Sequence, residues 1–372
     1  MPEQPVPLSW DQVLAFRVER HHLSDRTPPG AGHDVLRSLC GVRAQLPTTA
    51  ELSLWARVDG LPPDLVSEGL RDRTLVKTWV RNRAHVIPAD DLALYVGALH
   101  PRPEGPGEGW LRLRGVTRQQ YEAIVAAVPR VLDDRPRTRE QLADGVTALA
   151  GDDLRDAVLF SWGGVLKQSA RFGDLCFGPP AGRDVTFVRP DLWLGRALDA
   201  DPDAAGVELV RRYFAAYGPS TAVDFGHWIE DPARARAFVR AAASDLAPVD
   251  IEGRRALALR ADLDPLTADR RPGGVRLLPA FDQYVTGTQP RAAFVPAEVT
   301  GRVFGQQGSV APVLLVAGRV AGVWSHERRG EVVGVRVRPF APLDRATLDG
   351  VGDEAARLAA FLGGAPELVV DA

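Results

Sequence analysis

The sequence predicts an α+β protein of three tandem winged helix-turn-helix units, a small C-terminal antiparallel sheet or partial barrel, and a terminal helix. Two observations lead there. Helical periodicity gives way to paired alternating segments three times in succession, and helix-capping segments near Thr48, Thr138 and Thr221 recur at intervals of about 80–90 residues. A third, the change to closely spaced short strands after Val275, sets the last part of the chain apart. The predicted boundaries are 1–104, 105–200, 201–272 and 273–372.

In the first unit Ser9 caps a helix through His22 with Trp10, Val13, Leu14 and Val18 on one face. A second helix is expected over Asp34–Ala44, and Thr48 with Glu51 forms a capping box for a third, reaching Val58. Pro62–Leu70 is a short helix. Thr74–Val80 and Ala84–Ile87 then alternate as strands around Arg81-Asn82-Arg83, and a helix from Pro88 runs to Leu99. The Pro/Gly-rich stretch Pro101–Gly109 reads as a linker.

The second unit has helices over Thr117–Val128, from a capping box at Thr138 to Leu149, and over Asp153–Ser169. Strands follow at Leu175–Gly178 and Thr186–Val188. In the third, Asp203–Tyr217 is stopped by Gly218-Pro219, Thr221 opens a helix to Ile229, and Asp231–Ala242 follows. Val249–Ile251 and Ala256–Leu259 flank a Glu252–Arg255 turn. The C-terminal part has strands Val275–Leu278, Val310–Val316, Val320–Trp324 and Val332–Val337, a tight turn at Ala317-Gly318-Arg319, a link at His326–Gly330, and a helix Leu343–Leu362.

Composition excludes several function classes. With 45% hydrophobic and 25% charged residues, the 372-residue chain can build a sizeable core. The apolar run Val310–Ala317 is too short to span a bilayer, and Met1–Pro7 lacks the features of a signal peptide, so a cytoplasmic protein without a membrane partner is expected. Cys40 and Cys176 read as buried thiols, and no Cys/His cluster has metal-ligand spacing, so neither metal nor cofactor is expected. A net charge of −3 means that any nucleic-acid surface must be local. Phosphate-binding and dinucleotide-binding glycine loops and the Gly-x-Ser-x-Gly elbow are missing.

Four segments carry a resemblance. They are Cys40–Gln45 continuing into Ala50–Arg57, Val80–Asp91, Gly218–Phe225 and Leu277–Tyr284, in this order. Together they make the chain, from about Leu8 to Phe340, resemble the AlkZ-type winged-helix DNA glycosylases. The resemblance implies tandem winged helices around duplex DNA and excision of bulky alkylated bases. The residues that the family uses for excision form Gln-x-Gln, or Gln-x-Asp in a sister branch. Gln45 occupies the second position here, and Arg43 replaces the first glutamine.

An N7-alkylated guanine is already cationic and leaves readily, so the protein needs mainly to stabilise an oxocarbenium-like sugar and place a water. A glutamine amide both accepts and donates, which suits Gln45 to that water. Arg43 cannot accept, but can grip a flanking phosphate bidentately. The bland alternative makes both ordinary residues at a helix end, with Arg43 paired to a carboxylate. The chain has two lysines, Lys77 and Lys167, in a strand and a helix, with a processed Pro2 the one other amine candidate. Water-driven, monofunctional hydrolysis follows, because a Schiff-base route needs an available amine.

Candidate DNA contacts are the basic tips Arg81-Asn82-Arg83 with His85, Arg254 with Arg255, and Arg328 with Arg329. Each can equally be a solvated turn. Asp282 is expected to be structural, paired with Arg291. Trp55, Trp79, Trp162, Trp193 and Trp228 are expected in the core. The expected function is a monomeric DNA glycosylase acting on duplex DNA. The alternatives are a non-catalytic DNA-binding regulator or lesion sensor, and a protein-interaction module.

Overall fold

The computed structural model describes residues 3–45, 48–101, 104–160 and 164–371. Pro2, Trp162 and part of the expected linker lie outside them. The architecture is mixed α+β, and the chain divides into two compact units. One comprises residues up to Leu65 together with those from Val210 onward, and the other is Val66–Leu209.

In Val66–Leu209 the strand order is Arg83–Pro88, Leu75–Val80, Cys176–Phe177, Thr186–Val188, Arg137–Thr138. The first two form a hairpin whose tip residues Arg81 and Asn82 both have positive φ, 52° and 56°, the backbone of a two-residue turn that matches strand twist. Helices Arg118–Val131 and Arg139–Ala150 pack on one another through Ile124, Val128, Leu142 and Val146, all 0% exposed. Both begin with complete capping boxes, Thr117 with Gln120 and Thr138 with Gln141, as the local spacing requires. The single helix expected over Asp153–Ser169 is instead a 3-10 turn, a short helix Arg155–Leu159 and a later helix Leu166–Phe172. Phe160 leaves helical geometry with ψ 110°.

The other unit contains two sheets. Leu246–Ile251 and Arg254–Leu259 form a hairpin, and Val6–Leu8 adds to it in parallel, a strand that three residues of sequence could not announce. The turn is Glu252-Gly253, with φ 50° and 91°, so Arg254 and Arg255 lie in the strand rather than in the expected four-residue turn. The larger sheet runs in order Val275–Leu278, Val313–Val316, Arg319–Arg329, Val332–Pro339, Ala365–Val370. It is not wholly antiparallel as expected, because Ala365–Val370 returns parallel to Val332–Pro339 after helix Arg345–Phe361. That helix packs on both Val275–Leu278 and Ala365–Val370. Its buried Glu354 pairs with Arg26 and accepts from the Leu277 amide. His326–Arg329 extend a strand instead of linking two.

Early in this unit Ser9 caps Trp10–Arg20 with Gln12 completing the box. The next helix is shorter than expected, Gly32–Ser38, because Cys40 and Gly41 take φ 58° and 83° and turn the chain into the strand Val42–Arg43. Thr48 precedes helix Thr49–Trp55, yet its φ and ψ are helical and its side chain makes no cap bond, so the expected box does not form. At Thr221 the box does form, with Asp224.

Candidate active site and nucleic-acid interface

Around Arg43 the chain is extended, so neighbouring side chains face opposite ways. Val42 and Ala44 are buried at 0% and 5% exposure, while Arg43 is half-buried and Gln45 exposed. The two residues singled out for excision are therefore the ones in this stretch that are not buried. The Arg43 guanidinium lies 5.4 Å from the centre of the Phe281 ring. Arg43 is thus set on an aromatic face, a contact that no spacing in the sequence indicated.

Behind this face stands a sealed ion pair. Arg57, just past the helix Thr49–Trp55, donates through both terminal nitrogens to the two oxygens of Asp282 at 2.7 Å each, and to the Ser53 carbonyl at 2.7 Å. Both side chains are 0% exposed. The expected Asp282–Arg291 pairing is not made. Arg291 instead lies 3.9 Å from the Phe304 ring centre. Proximity in sequence favoured Arg291, but a fully buried carboxylate needs a bidentate partner to offset its desolvation. Asp282 also accepts from the Tyr284 amide at 2.9 Å, capping Gln283–Gly287.

The segment Gly218–Phe225 is held by another buried arginine. Arg17 Nε and Nη2 donate to the carbonyls of Gly218 and Pro219 at 3.2 and 2.7 Å. His21 lies edge-on to both Tyr217 and Tyr284, with ring centres 5.1 and 5.3 Å away. Burial, then the Arg57 charge, holds its imidazole well below the usual histidine range, so it is neutral at physiological pH. Three of the four resemblance segments are thereby tied into one unit.

The basic tips have different fates. In Val66–Leu209, Arg83 is exposed and Arg81 and Asn82 are half-exposed. His85 is 1% exposed and so is no surface group itself. Its Nε2 meets Arg81 Nη2 at 2.9 Å and its Nδ1 meets the Arg83 carbonyl at 2.8 Å. Since a guanidinium only donates, Nε2 accepts and Nδ1 carries the proton. In the other unit Arg254 donates to Asp224 at 2.6 Å and Arg255 is exposed. Arg328 spends its guanidinium on the carbonyls of Gly330, Leu362 and Gly363, and Arg329 pairs with Glu327 and Glu367.

Trp55, Trp79 and Trp228 are buried as expected, whereas Trp193 is half-buried under the Arg73 guanidinium, 3.9 Å away. Both cysteines are buried, and neither is in a disulfide. Among the described residues no helix is long and apolar enough to cross a membrane, and no group of three or more His, Cys, Asp or Glu is placed to hold a metal ion.

Comparison with known proteins decides the family, since residues 36–361 match the one described as DNA glycosylase AlkZ-like. The chain belongs to the AlkZ-like DNA glycosylase family. A curated relative, the interstrand DNA cross-link repair glycosylase of Streptomyces sahachiroi, is 33% identical over 366 residues, or 94% of this chain and 96% of the relative. The solved structure of the Streptomyces sahachiroi DNA glycosylase AlkZ superposes with a TM-score of 0.89 at 30% identity, covering 98% of this chain and all of that one. This AlkZ-like protein is accordingly an enzyme, a DNA glycosylase and thus a hydrolase. The DNA-binding-only and protein-interaction alternatives give way to that assignment.

Proposed function

We propose that this glycosylase hydrolyses the N-glycosidic bond of bulky alkylated purines of the N7-alkylguanine type in duplex DNA, as a monofunctional, cofactor-independent monomer. The observation that carries the reading is that Arg43 and Gln45 stay open to the surface between the buried Val42 and Ala44 and the helix that follows. Gln45, exposed at the end of the extended segment, positions the attacking water through its amide. Arg43, two residues earlier, holds the flanking phosphate. The name of the Streptomyces relative supports extending the substrate class to alkylated bases joined across the two strands.

DNA is held by tandem winged-helix units. Helices followed by the hairpins Leu75–Pro88 and Leu246–Leu259 support that arrangement. Arg81, Asn82 and Arg83, kept in place by His85, and Arg255 contact the DNA backbone, whereas Arg254, Arg328 and Arg329 spend their guanidinium groups on partners within the protein. The lysine inventory supports water as nucleophile. Lys77 packs 5.1 Å from the Phe177 ring centre and Lys167 is half-buried within a helix.

The test is an abasic-site assay on duplexes carrying N7-methylguanine, a bulkier N7 adduct or an interstrand cross-link. Wild-type protein is expected to leave abasic sites without a borohydride-trappable adduct. Gln45→Ala is expected to lower the excision rate on the order of 100-fold. Undiminished excision by Gln45→Ala would remove that residue from the chemistry, and a trapped adduct would overturn the water mechanism.

A further inference from the structure

Between Leu277 and Val285 the usual order of burial is inverted. Leu277–Pro279 and Asp282–Val285 are buried, and the carboxylate of Asp282 is sealed completely. Phe281, the most hydrophobic side chain of the turn, is held partly outside. An aromatic residue ordinarily goes in and an aspartate out. Phe281 also adopts φ 61°, a left-handed backbone that a bulky side chain disfavours, and it is the one aromatic ring in that conformation among the described residues other than the imidazole of His22. Such a conformation persists only where its surroundings over-determine it. Here they do. Asp282, the next residue, is clamped by Arg57, caps the following helix, and closes the turn through its amide to the Pro279 carbonyl at 3.3 Å. The outcome of this arrangement is a ring presented to the Arg43 guanidinium.

We propose that Phe281 is a positioning residue of the excision site, fixing the Arg43 guanidinium on its ring so that Gln45 works beside a stationary rather than a wandering cation. The proposal rests on the reading of Arg43 and Gln45 as site residues. A mobile guanidinium next to a cationic lesion repels it and competes for the water that Gln45 holds. A guanidinium on a π face is attracted by the ring quadrupole, which restrains it. The clamp Arg57–Asp282 acts on Arg43 through Phe281.

Phe281→Leu removes the ring while keeping an unbranched Cβ at the same φ, and Phe281→Tyr keeps the ring. Single-turnover excision of N7-methylguanine from duplex DNA is measured for these variants in the native background and with Arg43→Gln. Phe281→Leu is expected to lower the maximal rate about 3- to 5-fold, with less than about twofold change in the DNA concentration giving half-saturation. Phe281→Tyr is expected to retain the rate, and in the Arg43→Gln background Phe281→Leu is expected to cost nothing further. Equal loss in both backgrounds would reduce Phe281 to a structural residue and overturn the proposal, as would full activity without the ring. A second readout is independent of activity. The Arg43 Nε–H resonance, assigned by its disappearance in Arg43→Gln, is expected to lose its ring-current shift in Phe281→Leu but not in Phe281→Tyr. An unmoved resonance overturns the proposal by itself. Should native protein leave no abasic sites on any lesion, the substrate reading fails, and the resonance alone decides the role of Phe281.

Discussion

Arg43 and Arg57 flank the same short helix, Thr49–Trp55, and are used in opposite ways. Arg57 is sealed against Asp282, bidentate, with none of its surface in water. Arg43 is half-buried, its charge set over an aromatic ring. The difference separates two meanings of a family resemblance. Part of the matched residues, Arg57 and Asp282, join distant segments into a unit. Another part, Arg43 and Gln45, is not buried. A change at a position open to the surface costs less stability than one in a sealed ion pair, and Arg43 stands where the resemblance expects a glutamine.

The largest expected effect breaks the sealed side. Asp282→Ala leaves a buried guanidinium without its counter-charge and is expected to destabilise by about 3–5 kcal/mol in urea unfolding. Gln45→Ala, on the open side, is expected to leave the unfolding midpoint unchanged. Comparable stability losses for both would erase the distinction.

Acid is expected to attack the sealed side next. His21 is held neutral among Arg17, Arg57, His22 and the rings of Tyr217 and Tyr284. Its folded-state pKa is depressed, so the unfolded chain takes up the proton first. The stability it contributes is present above about pH 6.5 and is lost as pH falls below that, by about 1.4 kcal/mol per pH unit. His21→Phe is expected to flatten this slope. An unchanged slope would remove His21 from the acid response.

The basic tips sharpen the comparison at smaller scale. Arg83→Ala, at an exposed tip, is expected to weaken DNA binding several-fold and to lower the slope of log affinity against log salt by about one. Arg328→Ala is expected to leave that slope alone and to cost about 1 kcal/mol of stability, because its donors end the helix Arg345–Phe361. A salt slope lowered by Arg328→Ala instead would place that tip on the DNA.

Local hydrogen bonding explains what was legible. The capping boxes at Ser9, Thr117, Thr138 and Thr221, the stop at Gly218, and the hairpin at Arg81-Asn82 need only residues a few positions apart. The same spacing misled at Thr48, whose own backbone is helical, so its side chain does not cap the helix. The strands Val6–Leu8 and Ala365–Val370 were not legible, since each forms by joining a sheet edge laid down elsewhere in the chain. Gln45 was found through resemblance to a family. Phe281 as the ring under Arg43 was not, because a positive φ at a phenylalanine leaves no local mark.

What the sequence alone determined is the set of elements with short-range instructions and the family to which the chain belongs; the extended stretch at Arg43, where a helix was expected, came only with the structure. Tertiary structure decided which buried charges meet, pairing Asp282 with Arg57 instead of Arg291, and which exposed arginines remain available. The physical reason is that a buried charge is stable only beside its counter-ion. That choice is made across 225 positions of chain, where sequence separation carries no information about distance.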